Sequence, residues 1–115
     1  MIESIISMEL PAGGHLAIRR NRICPEQETK QCRRISLVSG IHGDELEGQY
    51  ICYETARRVK EHPEYLKGIV DIYPALNPLG IDMASRTVPR LEMDMNRMFP
   101  GDASGDMMER ITAAV

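Results

Sequence analysis

No stretch of this sequence approaches the roughly 18 consecutive apolar residues that a membrane-spanning helix requires, which excludes an integral helical membrane protein. The N-terminal segment lacks the lysines and arginines of a signal peptide. Glu3 and Glu9 stand there instead, so export is not indicated. A basic excess is missing too: 14 Lys and Arg face 17 Asp and Glu, for a net charge of -3. That balance lacks the electrostatic footprint of a nucleic-acid binder, and the short run Arg19, Arg20, Arg22 reads as a solvated strand edge. The cysteines, Cys24, Cys32 and Cys52, are odd in number and irregularly spaced, which excludes a disulfide framework. The gap from Cys24 to Cys32 is too wide for a zinc knuckle. Together these absences predict free thiols and a cytoplasmic protein. Internal repeats and low-complexity stretches are also lacking.

What is present suits one small soluble domain: 115 residues, 43% apolar and 27% charged. Residues 1–34 read as an N-terminal hairpin and loop. Ile2–Leu10 is apolar and β-branched, Pro11–Gly14 is a turn, and His15–Ile23 runs back as a second strand, followed by a polar loop over Cys24–Arg34. Arg34–Gly40 is a short apolar run ending at glycine, as a buried strand would. Asp44–His62 predicts a helix on which Leu46, Tyr50 and Tyr53 recur at helical spacing. Glu45 and Glu47 load its first turn, and Arg57, Arg58, Lys60 and His62 its last, before Pro63 stops it. Ile69–Tyr73 follows as another strand, which completes a βαβ pattern with a parallel strand pair. The fold class is therefore α/β.

From Pro74 to Gly101 four prolines and two glycines interrupt every candidate element. A long irregular segment inside a compact domain is commonly functional, and this one holds Asn77, Arg86, Arg90, Asp94, Asn96 and Arg97. Asp102–Val115 starts another helix, with Asp102, Ser104 and Asp106 as candidate caps. It carries no stop signal, and the expectation is that the chain forms the front part of something larger.

The sharpest local feature is Gly40-Ile41-His42-Gly43-Asp44-Glu45, placed where a strand ends and a helix begins. Ligands of open α/β sheets collect at the carboxyl ends of strands. His42 and Glu45 are three residues apart, so both side chains can point into one site. Imidazole nitrogen with carboxylate oxygen is a partial ligand set for zinc, which in catalytic sites usually takes three protein ligands and a water. The second feature is Asp94-Met95-Asn96-Arg97. A guanidinium beside a neutral amide donor makes a good carboxylate clamp. The methionines of this loop (Met83, Met93, Met95, Met98) read as packing filler and not as a metal box.

Gly-x-His-Gly-x-Glu at a strand end, then Asn77-Pro78, then Arg86, then Asp94-x-Asn96-Arg97, in this order, resembles the N-terminal portion of the succinylglutamate desuccinylase/aspartoacylase family. These are zinc hydrolases related to the metallocarboxypeptidases, and the resemblance runs from about Ile35 to Gly101. It implies a mixed sheet with flanking helices, with residues 35–101 bearing the motifs and residues 102–115 starting the next helix. It implies further that His42 and Glu45 are two of three Zn2+ ligands, that Asp94 is a partner orienting the histidine, and that Asn96 and Arg97 hold a substrate carboxylate. Arg86, nine residues after Asn77, matches the arginine that faces the scissile carbonyl, with Arg90 as its rival. The implied activity is deacylation of an N-acyl amino acid, a small-molecule partner.

The family's third ligand, a histidine, and its general base, a glutamate, both lie well downstream of the Asp-x-Asn-Arg motif. After Arg97 this chain has no histidine, and its single glutamate, Glu109, comes too early. His62 lies 17 residues beyond Glu45 on the same predicted helix, about 25 Å along the axis at ~1.5 Å per residue, and cannot reach. His15 in the hairpin reads as a surface residue. The expected site is thus partial, and this chain by itself is expected to be inactive. A second reading is a non-enzymatic binding module, whose unfinished sheet edge would favour self-association into a homo-oligomer. A third, a phosphate site at the helix N-terminus, is opposed by the acidic Asp44, Glu45 and Glu47.

Overall fold

The computed structural model describes residues 1–27 and 29–115. Glu28, in the expected polar loop, lies outside the described residues. The fold is mixed α/β. Strand β1 (Ile2–Glu9) and strand β2 (His15–Ile23) form the antiparallel hairpin. Strand β3 (Arg34–Val38) and strand β4 (Ile69–Tyr73) form the parallel pair, joined through helix α1 (Glu47–Glu61). The hairpin joins the pair through β2 and β4, which run antiparallel, so the four-stranded sheet has the order β1-β2-β4-β3. Strand β3 is an edge. No helix among the described residues is long and apolar enough to cross a membrane.

Side chains alternate across a strand, and the two faces of the sheet have different covers. Leu16 and Ile18 of β2 and Tyr73 of β4 pack with Leu76, Val88, Met95, Met108 and Ile111, so the irregular segment and helix α3 (Met107–Ala113) close one face. Burying a side chain such as Ile18 stabilises the fold by about 2 kcal/mol. Ile72 points the other way, where it lines a cleft together with Cys52 and Ala56 of α1.

Several expectations need correction, the first being the buried strand: β3 is an exposed edge. Helix α1 starts at Glu47 and not at Asp44, because the chain turns at Gly43–Asp44 and stays irregular through Leu46. Its Leu46, Tyr50 and Tyr53 stripe faces solvent, at 57%, 66% and 63% exposure. The helix instead approaches the sheet on small residues: Cys52 is buried, and Gly48 lies so close to Ser39 that a Cβ would sit 3.0 Å from the serine Cβ. The segment from Pro74 to Gly101 does hold regular structure, a short helix α2 (Pro78–Asp82) and a 3-10 turn at Met95–Arg97. Pro78 occupies the first turn of α2, where its missing N–H costs nothing, and the buried Asn77 caps it by accepting from the Gly80 N–H at 2.9 Å.

The arginine run is no solvated edge either. The register of β2 against β4 sets Arg22 opposite Asp71, and the two make a two-pronged pair at 2.7 and 2.8 Å. Arg20 and Arg34 reach the same carboxylate at 3.7 and 3.6 Å, and Arg20 also donates to Glu3. Only Arg19 of the three stays exposed.

Candidate functional site

Beyond their last paired residues, β3 and β4 remain tied. The Ser39 N–H donates to the Tyr73 carbonyl at 2.9 Å, and the Asn77 N–H donates to the Gly40 carbonyl at 2.7 Å. Gly40 turns with φ +65°, and a Cβ there would meet the Pro74 carbonyl at 2.8 Å, so glycine is what lets the two strand ends cross this closely. At Gly43 a Cβ would collide with the Gly80 carbonyl group. The Gly43 N–H donates to the Ser85 carbonyl at 2.9 Å, and the Asn77 side chain donates to the Ile41 carbonyl at 3.3 Å. The turn that carries His42 is therefore clamped by two backbone bonds and one from the Asn77 side chain.

The clamp aims the His42 ring between two carboxylates. Nδ1 faces Glu45 Oε1 at 3.2 Å and Nε2 faces Asp94 Oδ1 at 3.0 Å. Glu45 can turn back toward the ring because it precedes the helix. Asp94 caps the 3-10 turn by accepting the Asn96 N–H at 3.0 Å. The hydrogen bond from His42 and that backbone bond hold its carboxyl below the usual carboxylate range. Arg86 donates to Glu45 Oε1 at 3.2 Å. Beside this group a cleft of about 370 Å³ opens at the carboxyl end of β3, lined by Val38, Ser39, His42, Glu45, Glu47 and Asn96.

The fold thus brings together five of the residues singled out in the sequence: His42, Glu45, Arg86, Asp94 and Asn96. Arg97 stays outside, 85% exposed, with its guanidinium 3.9 Å from Asp94. Arg90 sits in a left-handed backbone conformation at φ 69° and is exposed, and it is Arg86 that pairs with Glu45. His62 caps the end of α1 and pairs with Glu64, while His15 bonds Ser7 in the hairpin. Glu47 and Ser39 line the cleft without belonging to either motif. Ser39 lies beneath α1 against Cys52, whose thiol burial pushes up in pKa while the Ser39 bond pulls it down.

Two donor atoms held at ~2.0–2.2 Å by a tetrahedral zinc lie roughly 3.3–3.5 Å apart. The 3.2 Å between His42 Nδ1 and Glu45 Oε1 fits such a pair. The second ring nitrogen, bonded to a carboxylate, matches the usual support of a metal-binding histidine. The set stops at two: among the described residues no group of three or more His, Cys, Asp or Glu could hold a metal ion.

Comparison with known proteins agrees with this architecture. Residues 31–114 match the model of the succinylglutamate desuccinylase/aspartoacylase catalytic domain. The chain is 36% identical over 75 residues to an N-alpha-acetyl-L-2,4-diaminobutyric acid deacetylase from Halomonas elongata; the match covers 65% of this chain and 21% of the deacetylase. Among solved structures it resembles a succinylglutamate desuccinylase/aspartoacylase from Rhodobacter sphaeroides (32% identity, TM-score 0.71, 88% of this chain, 29% of that one). It also resembles the product-bound ectoine utilization protein EutE (DoeB) from Ruegeria pomeroyi (28% identity, TM-score 0.74, 94% and 32%). The chain therefore spans a fifth to a third of the length of these relatives.

Proposed function

Because the chain belongs to the succinylglutamate desuccinylase/aspartoacylase catalytic-domain family, we propose that it forms part of a zinc-dependent hydrolase that cleaves the amide bond of an N-acyl amino acid. One observation carries the metal reading: the His42 ring is held between Glu45 and Asp94 with one nitrogen on each. In this reading His42 and Glu45 hold the ion. Zinc, when bound, would lower the pKa of a water and polarise the acyl oxygen. Asp94 fixes the tautomer and tilt of the His42 ring by bonding its Nε2. Arg86, which donates to Glu45 Oε1, is the donor suited to a developing oxyanion. Asn96 in the cleft, joined by Arg97 once its exposed side chain swings in from outside, would hold the amino-acid carboxylate, so that the amide rests against the metal-binding pair.

The donor set limits what these residues do alone. A third ligand and a general base would come from outside residues 1–115, and turnover by this chain unaided should be negligible. By domain, residues 1–34 would be the flanking hairpin and loop, 35–101 the motif-bearing unit and 102–115 the start of the next helix. The Halomonas relative's name makes N-acetyl-2,4-diaminobutyrate the first substrate to try once the missing groups are supplied.

The test is calorimetric titration of zinc into chelator-treated protein, beside the His42→Ala variant. Binding near one equivalent that disappears in the variant supports the reading, and equal heats from both would sink it. A second reading, a carboxylate-binding module without hydrolysis, is favoured by the absence of a third donor among the described residues. It predicts no zinc binding by either protein, and a folded chain that still binds acetate at Asn96 and Arg97.

A further inference from the structure

The geometry points to a second role for Arg86: its guanidinium competes with the metal for Glu45, so that metal and anion binding are coupled through one side chain. This rests on the zinc reading above.

The argument starts from a single oxygen. Glu45 Oε1 lies 3.2 Å from His42 Nδ1 and 3.2 Å from Arg86 Nη1. A divalent cation held by His42 and Glu45 would share this carboxylate with the positive charge of Arg86. Like charges this close disfavour each other, so either the guanidinium leaves or the metal binds weakly. Arg86 is free to leave. Its side chain is 57% exposed, Glu45 is 59% exposed, and an exposed ion pair is weak and screened. Among the described residues Arg86 makes no other side-chain hydrogen bond.

The juxtaposition is built into the backbone. Ser85, the residue before Arg86, accepts from the Gly43 N–H at 2.9 Å, and its own N–H donates to the Gly80 carbonyl at 2.8 Å. Those bonds fasten the start of the Arg86 side chain to the turn that carries His42 and Glu45. The backbone of Arg86 is thus held beside the metal-binding pair, while its exposed guanidinium can exchange Glu45 for solvent or another anion.

Two consequences follow. Removing the charge at position 86 tightens metal binding. An anion that draws Arg86 off Glu45 also tightens metal binding, and by reciprocity the metal raises affinity for that anion. The carboxylate or polarised acyl oxygen of a substrate would be such an anion, so the metal-loaded form is the one prepared to receive it.

Zinc alone is titrated by competition with a chromophoric chelator into the wild-type protein, Arg86→Ala, Arg86→Lys and His42→Ala, with and without acetate. Arg86→Ala should bind zinc roughly tenfold tighter, the scale of a unit charge acting on a divalent ion a few ångströms away in a screened site. Arg86→Lys, which keeps the charge, should stay close to wild type. Acetate should tighten zinc binding in the wild type, beyond any effect it has in Arg86→Ala. Equal or weaker binding by Arg86→Ala, with His42→Ala binding lost, overturns the competition and leaves the zinc site standing. Identical behaviour of His42→Ala and wild type removes the zinc site and the competition with it. If Arg86→Ala loses its far-ultraviolet helix signal, Arg86→Gln carries the test, since it keeps a polar stem without the charge.

Discussion

Asp71 is the charge this molecule can least leave alone. It sits in the middle of the apolar strand β4 with its side chain 1% exposed, facing Arg22, Arg20 and Arg34. The two-pronged bond from Arg22 outweighs the cost of burial and holds the carboxyl below the usual range. A carboxyl whose folded pKa is depressed contributes stability above its unfolded pKa of about 3.9, and loses it as pH falls through the folded value. Urea unfolding should therefore show a midpoint that drops below about pH 4. The Asp71→Asn protein should be less stable at pH 7 by about 3 kcal/mol, because it strands the arginines, and its midpoint should fall less steeply with acid. An acid profile as steep in the variant would locate the dependence elsewhere. In the sequence Asp71 has no partner in sight, since Arg22 is 49 residues away until the strand register sets them face to face. His42, Glu45, Asp94 and Asn96 were legible earlier because their chemistry is local to two short motifs. The exposure of Arg97 was not, since a motif names a residue without giving its direction.

At the scale of elements, periodicity located α1 but gave the wrong face. The Leu46, Tyr50 and Tyr53 spacing is helical, yet close packing of Gly48 and Cys52 on the sheet turns that stripe outward. Helix α2 escaped notice because Pro78 reads as a breaker, although the first helical turn accepts proline. Helix α3 was foreseen with three candidate caps, and geometry selects Asp106. Its carboxylate accepts from the Met108 and Glu109 N–H groups at 2.9 Å each, while Glu109 accepts the Asp106 N–H at 2.9 Å. This reciprocal box should contribute about 1 kcal/mol. Asp106→Ala should lower the melting temperature by a few degrees. A variant that melts with the wild type would show that Met108 and Ile111, buried in the core, hold the helix without it.

At the scale of the whole molecule, β3 closes the sheet order with an open side. Ile35 is 61% and Val38 36% exposed there. An apolar edge strand with unpaired backbone groups is a template for another strand. Sedimentation velocity across a hundredfold range of concentration should show larger species forming in the wild type and fewer in Ile35→Lys. Concentration-independent sedimentation of the wild type would mean the neighbouring Arg33 and Arg34 already blunt the edge. The contact between His42 and Asp94 has a different reach, since it joins residues 52 positions apart. Closing a chain segment of that length costs on the order of 3–4 kcal/mol in entropy. A ligand gripping both sides of the cleft would act as a removable cross-link. It would bind only the closed ensemble and stabilise it in proportion to the logarithm of its concentration, so that a melting curve would sense occupancy without any chemistry taking place.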